Sequence, residues 1–88
     1  MRSNHTLSGE LATRKVYLDG ELLDPVPSKK YHNHSPDNFF WGYGGSAPSQ
    51  LALAIMLKLT GRADGYMEFK WDVIAKLPQT DFDIEFEL

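Results

Sequence analysis

A chain of 88 residues, 42% hydrophobic and 24% charged, has room for one small domain and the composition of a globular one, not a disordered one. The absence of cysteine excludes disulfides, thiolate metal sites and a thiol nucleophile, and suits a reducing cytoplasm, the expected location. The net charge of −3 is concentrated at Asp81, Asp83, Glu85 and Glu87, leaving no basic stripe for nucleic acid, and no apolar run approaches a membrane span.

Residues 1–13 hold Arg2, Asn4, His5 and Glu10 without a continuous apolar segment, so they do not read as a signal peptide. They are expected to be a flexible leader ahead of a single domain at 14–88. Lys15 to Leu18 reads as a strand, and Asp19-Gly20 before Glu21-Leu22-Leu23 marks a hairpin, because both turn positions need positive φ. Pro25 and Pro27 end the second strand, since proline cannot donate to a ladder. Lys29 to Asn38 is basic, then polar, and Ser35-Pro36-Asp37-Asn38 has turn chemistry.

Phe39 to Tyr43 is expected as a third strand, with Phe39, Trp41 and Tyr43 on one face. Gly44-Gly45-Ser46-Ala47-Pro48 then opens a helix, with Ser46 as N-cap and Gln50 near enough to reach back to it. Leu51 to Thr60 is apolar on nearly every side, which predicts a buried helix closed by Gly61. A second helix is expected from Tyr66 to Leu77, its stripe Tyr66, Phe69, Val73, Ile74 and Leu77, with Lys70 outside. Residues 81–88 alternate Phe82, Ile84, Phe86 and Leu88 with four acids, the pattern of a half-buried strand. The order β-β-β-α-α-β predicts an α+β fold, a small antiparallel sheet with two helices on one face.

Asn33, His34, Ser35, Pro36, Phe39, Trp41 through Ser46, Pro48 and Gln50 through Ala54 form a motif. It resembles that of a family of small, uncharacterised prokaryotic and phage proteins, a domain of unknown function. The similarity extends more weakly to Asp19-Gly20, Phe69-Lys70-Trp71 and Leu77-Pro78. Asn38 and Ala47 stand where that family usually has glycine; an alanine there would crowd a ligand lying on the backbone. The resemblance carries no activity with it.

Several chemistries can be drawn from these residues. Gly42 to Ala47 fits G-x-G-x-x-A, but a second helix follows where a dinucleotide fold needs a parallel strand, and no lysine follows the glycines as a P-loop requires. No cofactor is expected. His32, His34 and Asp37 have the residue types of a zinc site, yet Pro36 interrupts their segment, so His34 is expected to bond local backbone or Asp37 and no metal is expected. Ser46, His34 and Asp37 would supply a nucleophile, base and orienter, but the G-x-S-x-G spacing is absent and a capping serine is already engaged; no catalytic residue is assigned.

What remains is a binding set: His34, Asp37, Gly44, Gly45, Ser46, Gln50 and Trp71. Trp71 belongs to it because it falls off the apolar stripe of its helix, where an exposed tryptophan marks an interaction. The competing reading assigns every one of these residues to turn geometry. Three functions follow. The first is a non-enzymatic binding or accessory protein acting on a protein partner, encoded by a prokaryote, phage or mobile element. The second is a small-ligand or anion-binding domain, a minimal enzyme at most, using the glycines at 44–46. The third is a charge decoy presenting the acids of 81–88, against which stands their ordinary role as a solvated strand face.

Overall fold

The Asp19-Gly20 turn sets the sheet. In the computed structural model, which describes residues 3–34 and 39–88, Asp19 (φ 52) and Gly20 (φ 82) are both left-handed. They join β2 (Val16–Leu18) to β3 (Glu21–Leu22), with Tyr17 opposite Leu22 and Leu18 opposite Glu21. This turn has the twist that suits a two-residue hairpin.

Asp19 also reaches a third strand. Its carboxylate accepts the Thr6 N–H at 2.9 Å and meets His5 Nδ1 at 2.8 Å, while its own N–H donates to Thr6 O at 2.9 Å. His5 and Thr6 lie in β1 (Asn4–Gly9), which the sequence placed in a flexible leader. That expectation is corrected: β1 is an inner strand of the antiparallel sheet β3-β2-β1-β4, where β4 is Phe82–Glu87. The domain therefore begins well before residue 14. Leu7 is the only large aliphatic residue in β1, so alternation gave no signal. Pairing on both sides, with Leu7 facing Leu18 and Ile84, puts it at zero exposure.

β4 follows its alternation, with Phe82 and Phe86 buried, Ile84 half-buried and Asp83, Glu85 and Glu87 exposed. It is an edge strand, and acids along an edge discourage strand addition. Asp81 is set apart from them, because its carboxylate accepts the Leu11 N–H at 2.7 Å.

Phe39 to Tyr43 is not a strand. Gly42 is left-handed (φ +83), and its N–H donates to Ile74 O at 2.9 Å instead of to a ladder. Trp41 Nε1 donates to Thr80 O at 3.0 Å, so this irregular segment is tied to the chain just before β4. Phe39 and Trp41 are buried as expected, and the Trp41 ring meets Phe82 edge-on at 4.9 Å. Tyr43 turns outward instead, 40% exposed.

Three helical segments pack together, with the longest between the other two. α1 (Val26–Tyr31) was not expected, because Pro25 and Pro27 were read only as strand terminators. They occupy the cap and first turn, where a missing N–H costs nothing, and Asp24 accepts the Val26 N–H at 2.9 Å. α2 (Ser46–Thr60) closes on left-handed Gly61, whose N–H donates to Leu57 O at 2.9 Å. α3 (Tyr66–Phe69) continues as a π-helix over Lys70–Ile74, where Ala75 N–H reaches back five residues to Lys70 O at 2.8 Å. Leu7, Val16, Leu51, Ile55, Ile74 and Phe86 belong to one core. The domain is thus α+β, and no helix among the described residues is long and apolar enough to cross a membrane.

Candidate functional site

The glycine loop is shaped by two rings lying on it. A Cβ on Gly44 would stand 2.3 Å from the Trp71 ring, and one on Gly45 would stand 2.1 Å from the Tyr43 ring. Neither glycine has positive φ, so close approach, not left-handed backbone, is what requires them. Trp71 nevertheless keeps 52% of its surface exposed, as its place off the stripe predicted.

Ser46 does not cap α2. The N-cap is Gly45, in extended conformation, and no side chain completes the cap. The physical reason lies in the first turn. Pro48 has no N–H, and the Ser49 N–H that a Ser46 cap would use already donates to Gly45 O at 3.2 Å. Ser49 Oγ donates to the same carbonyl at 3.1 Å. Among the described residues the N–H groups of Ser46 and Ala47 and the Ser46 hydroxyl make no hydrogen bond.

Gln50 was expected to reach back toward the cap; it turns inward instead. Fully buried, it accepts the His34 N–H at 2.7 Å and donates Nε2–H to Ser28 Oγ at 2.8 Å. The Ser28 hydroxyl, 1% exposed, passes the chain on to Pro25 O at 2.7 Å. His34 was expected to bond its own neighbourhood, but its Nε2 pairs with Tyr66 Oη at 2.8 Å. One polar network thus joins α1, α2, α3 and the segment around His34, and among the described residues the buried side-chain polar groups in it are satisfied. Asp37 lies outside the described residues.

His32 and His34 stack at 4.1 Å with their rings tilted by 30°. No group of three potential metal ligands occurs among the described residues. Burial, then the nearby His32 and Lys70, hold the His34 imidazole below the ordinary histidine range.

Lys70 is the residue that pattern reading misplaced. It was assigned to the outer face, yet it is only 4% exposed. Its ammonium lies 4.3 Å from the Trp71 ring centroid, a cation–π contact. Among the described residues the ammonium itself has no hydrogen bond or ion pair; it is not a buried atom, so the stem is covered while the charge reaches the surface. The signal was present: Lys70 is four residues after Tyr66 and four before Ile74, on the stripe itself. Tyr66 and Ser28 were missed as polar partners because neither lies near His34 or Gln50 in sequence.

The structure therefore brings Gly44 against Trp71 and His34 against Gln50, with Gly45 and Ser46 one turn before Gln50. Among the described residues no hydrogen bond joins Ser46 to His34, whose Nε2 pairs with Tyr66 Oη instead, so they do not form a nucleophile–base pair. Two clefts lie elsewhere, on either side of the β3–α1 connection, with volumes of about 410 and 270 Å³. No curated protein and no solved structure matches the chain. The model of a family of unknown function (DUF6166) matches residues 2–87, nearly all of the sequence from before β1 to the end of β4, and the protein belongs to that family.

Proposed function

We propose that this is a non-enzymatic binding protein whose partner, another protein, docks on the aromatic face where Trp71 and Tyr43 lie over the glycine loop. The observation that carries this reading is Trp71: its ring is half exposed, yet held by the Gly44 backbone and the Lys70 ammonium. An aromatic anchor already fixed in place offers contact area with little ordering cost on binding. The same proposal includes a prokaryotic or phage setting, supported by the motif at residues 33–54.

The test compares proteins retained from a host lysate by the native chain and by Trp71→Ala and Tyr43→Ala, identified by mass spectrometry. A protein held by the native chain and lost in either variant, with unchanged circular dichroism, supports the reading. Identical sets in all three overturn it.

A second reading, an oxyanion site at the start of α2, is favoured by the open N–H groups of Ser46 and Ala47 and by Lys70 beside the same tryptophan ring. Titration with inorganic phosphate distinguishes it. Amide shifts at Ser46 and Ala47 that vanish in Lys70→Met support it, and their absence removes it.

A further inference from the structure

The larger cleft lies between the β2–β3 hairpin, the start of α1 and Phe39, and shares no residue with the aromatic docking face. Its volume of about 410 Å³ falls in the range of small-molecule sites. Val16, Leu23 and Phe39 line it as buried residues, and Leu22, 57% exposed, and Pro25 complete its apolar wall.

Arg14 brings a cation to this apolar space. Among the described residues it makes no ion pair, and its guanidinium carbon lies 4.5 Å from the Phe40 ring centroid. Lys15 also lines the cleft, but Leu23 N–H donates to Val16 O at 2.8 Å, and continuing that register puts Asp24 across from Lys15. Asp24 lines the same cleft, but its carboxylate accepts the Val26 N–H at 2.9 Å, and among the described residues it makes no ion pair with Arg14.

The backbone of Arg14 is an independent observation. It ends the loop between β1 and β2, where Glu10 N–H donates to Lys15 O at 2.9 Å and Arg14 N–H to Glu10 O at 2.7 Å. Its φ is 59, a left-handed position that glycine takes freely and a long side chain does not. The loop accepts that strain at a residue that lines the cleft, and strain of this kind collects at ligand clamps.

We propose that this cleft binds a small amphipathic carboxylate, its apolar tail against Val16, Leu23 and Phe39 and its head on Arg14. A guanidinium fork matches a carboxylate in shape as well as charge, and an apolar wall beside it selects for a tail.

Octanoate, octanol and acetate, each titrated into the full chain and followed by amide NMR, test both halves of the site. Octanoate is expected to shift Val16, Leu23 and Phe39 and to bind at least about 10-fold more tightly than either the tail or the head alone. Arg14→Gly, which relieves the left-handed strain, and Arg14→Gln, which removes only the charge, should each weaken octanoate about 10-fold and leave octanol unchanged. Octanoate binding no better than octanol, shifts mapping elsewhere, or undiminished octanoate affinity in both variants would overturn the proposal.

Discussion

Two pairs of residues, alike in sequence signal, differ in what they hold. Ser46 and Gln50 were both read as parts of a helix cap, but only Gln50 is bonded inside the fold. Ser46→Ala should therefore change stability by no more than about 0.5 kcal/mol, as for an exposed side chain without partners. Gln50→Ala strips a buried bond from Ser28 and the His34 N–H and leaves a cavity, and should cost about 2–4 kcal/mol. Urea denaturation of both variants checks the contrast; equal effects would mean the cap is made after all. Gly42 and Gly44 form the second pair. A Cβ on Gly42 would lie 2.7 Å from the Leu77 carbonyl on a backbone already at φ +83, so Gly42→Ala should cost at least about 1–2 kcal/mol. Gly44→Ala meets only the half-exposed Trp71 ring, which can swing away. It should cost less while red-shifting or quenching Trp71 fluorescence as the ring moves into water.

At the scale of elements, β1 carries the largest consequence. Its backbone pairs with β2 on one side and β4 on the other, so without it the sheet divides into a short hairpin and a lone strand. An isolated two-stranded hairpin is marginal in water. Removal of residues 1–9 should accordingly abolish cooperative unfolding and most near-ultraviolet dichroism. A truncated chain that still melts cooperatively would return these residues to the status of a leader. The π-turn at Lys70–Ile74 is the other decisive element. The wider π-turn lets Phe69, Ile74 and the stem of Lys70 be covered while Trp71 stays outside, with the Lys70 ammonium over its ring. A buried lysine beside an exposed tryptophan is the product, and both proposed readings of the α2 start depend on it.

For the whole molecule, His34 and Asp19 each define an acid-sensitive window. His34 titrates in the folded state below its ordinary value of 6.5, so the unfolded chain takes up its proton first. Stability should be full above about pH 6.5, fall as pH drops through that window, and level once the folded His34 is itself protonated. Lys70→Met removes one of the positive neighbours, though not the larger burial effect, so the fall should shrink without disappearing. Asp19 acts lower down. The His5 hydrogen bond, then the Thr6 N–H, hold its carboxyl below the ordinary aspartate value, so its contribution is present above that value and lost as pH falls through the folded one. Urea midpoints across pH 8 to 3, with NMR titration of the His34 ring, read both windows. A midpoint that rises on acidification from pH 7 to 5 would contradict the His34 assignment.

Local chemistry was enough for the α+β class, the Asp19-Gly20 hairpin, the long buried helix ending at Gly61, the alternating strand at the C-terminus and the exposure of Trp71. Each rests on a rule that acts within a few residues: positive φ in a tight turn, a helix or strand period, a glycine stop. Only the tertiary structure decided that Asn4–Gly9 is an inner strand, that Phe39–Tyr43 is not a strand, that Gln50 points inward and that the Lys70 stem is covered. Those outcomes are set by partners distant in sequence. β1 is specified by backbone bonds to both neighbours, Gly42 by the carbonyl of Ile74, Gln50 by Ser28 and His34, and Gly44 by the ring of Trp71. A hydrogen bond or a ring contact across many residues leaves no period in the chain, so the same polar and glycine residues that look like turn punctuation are, in the fold, the points where separate elements meet.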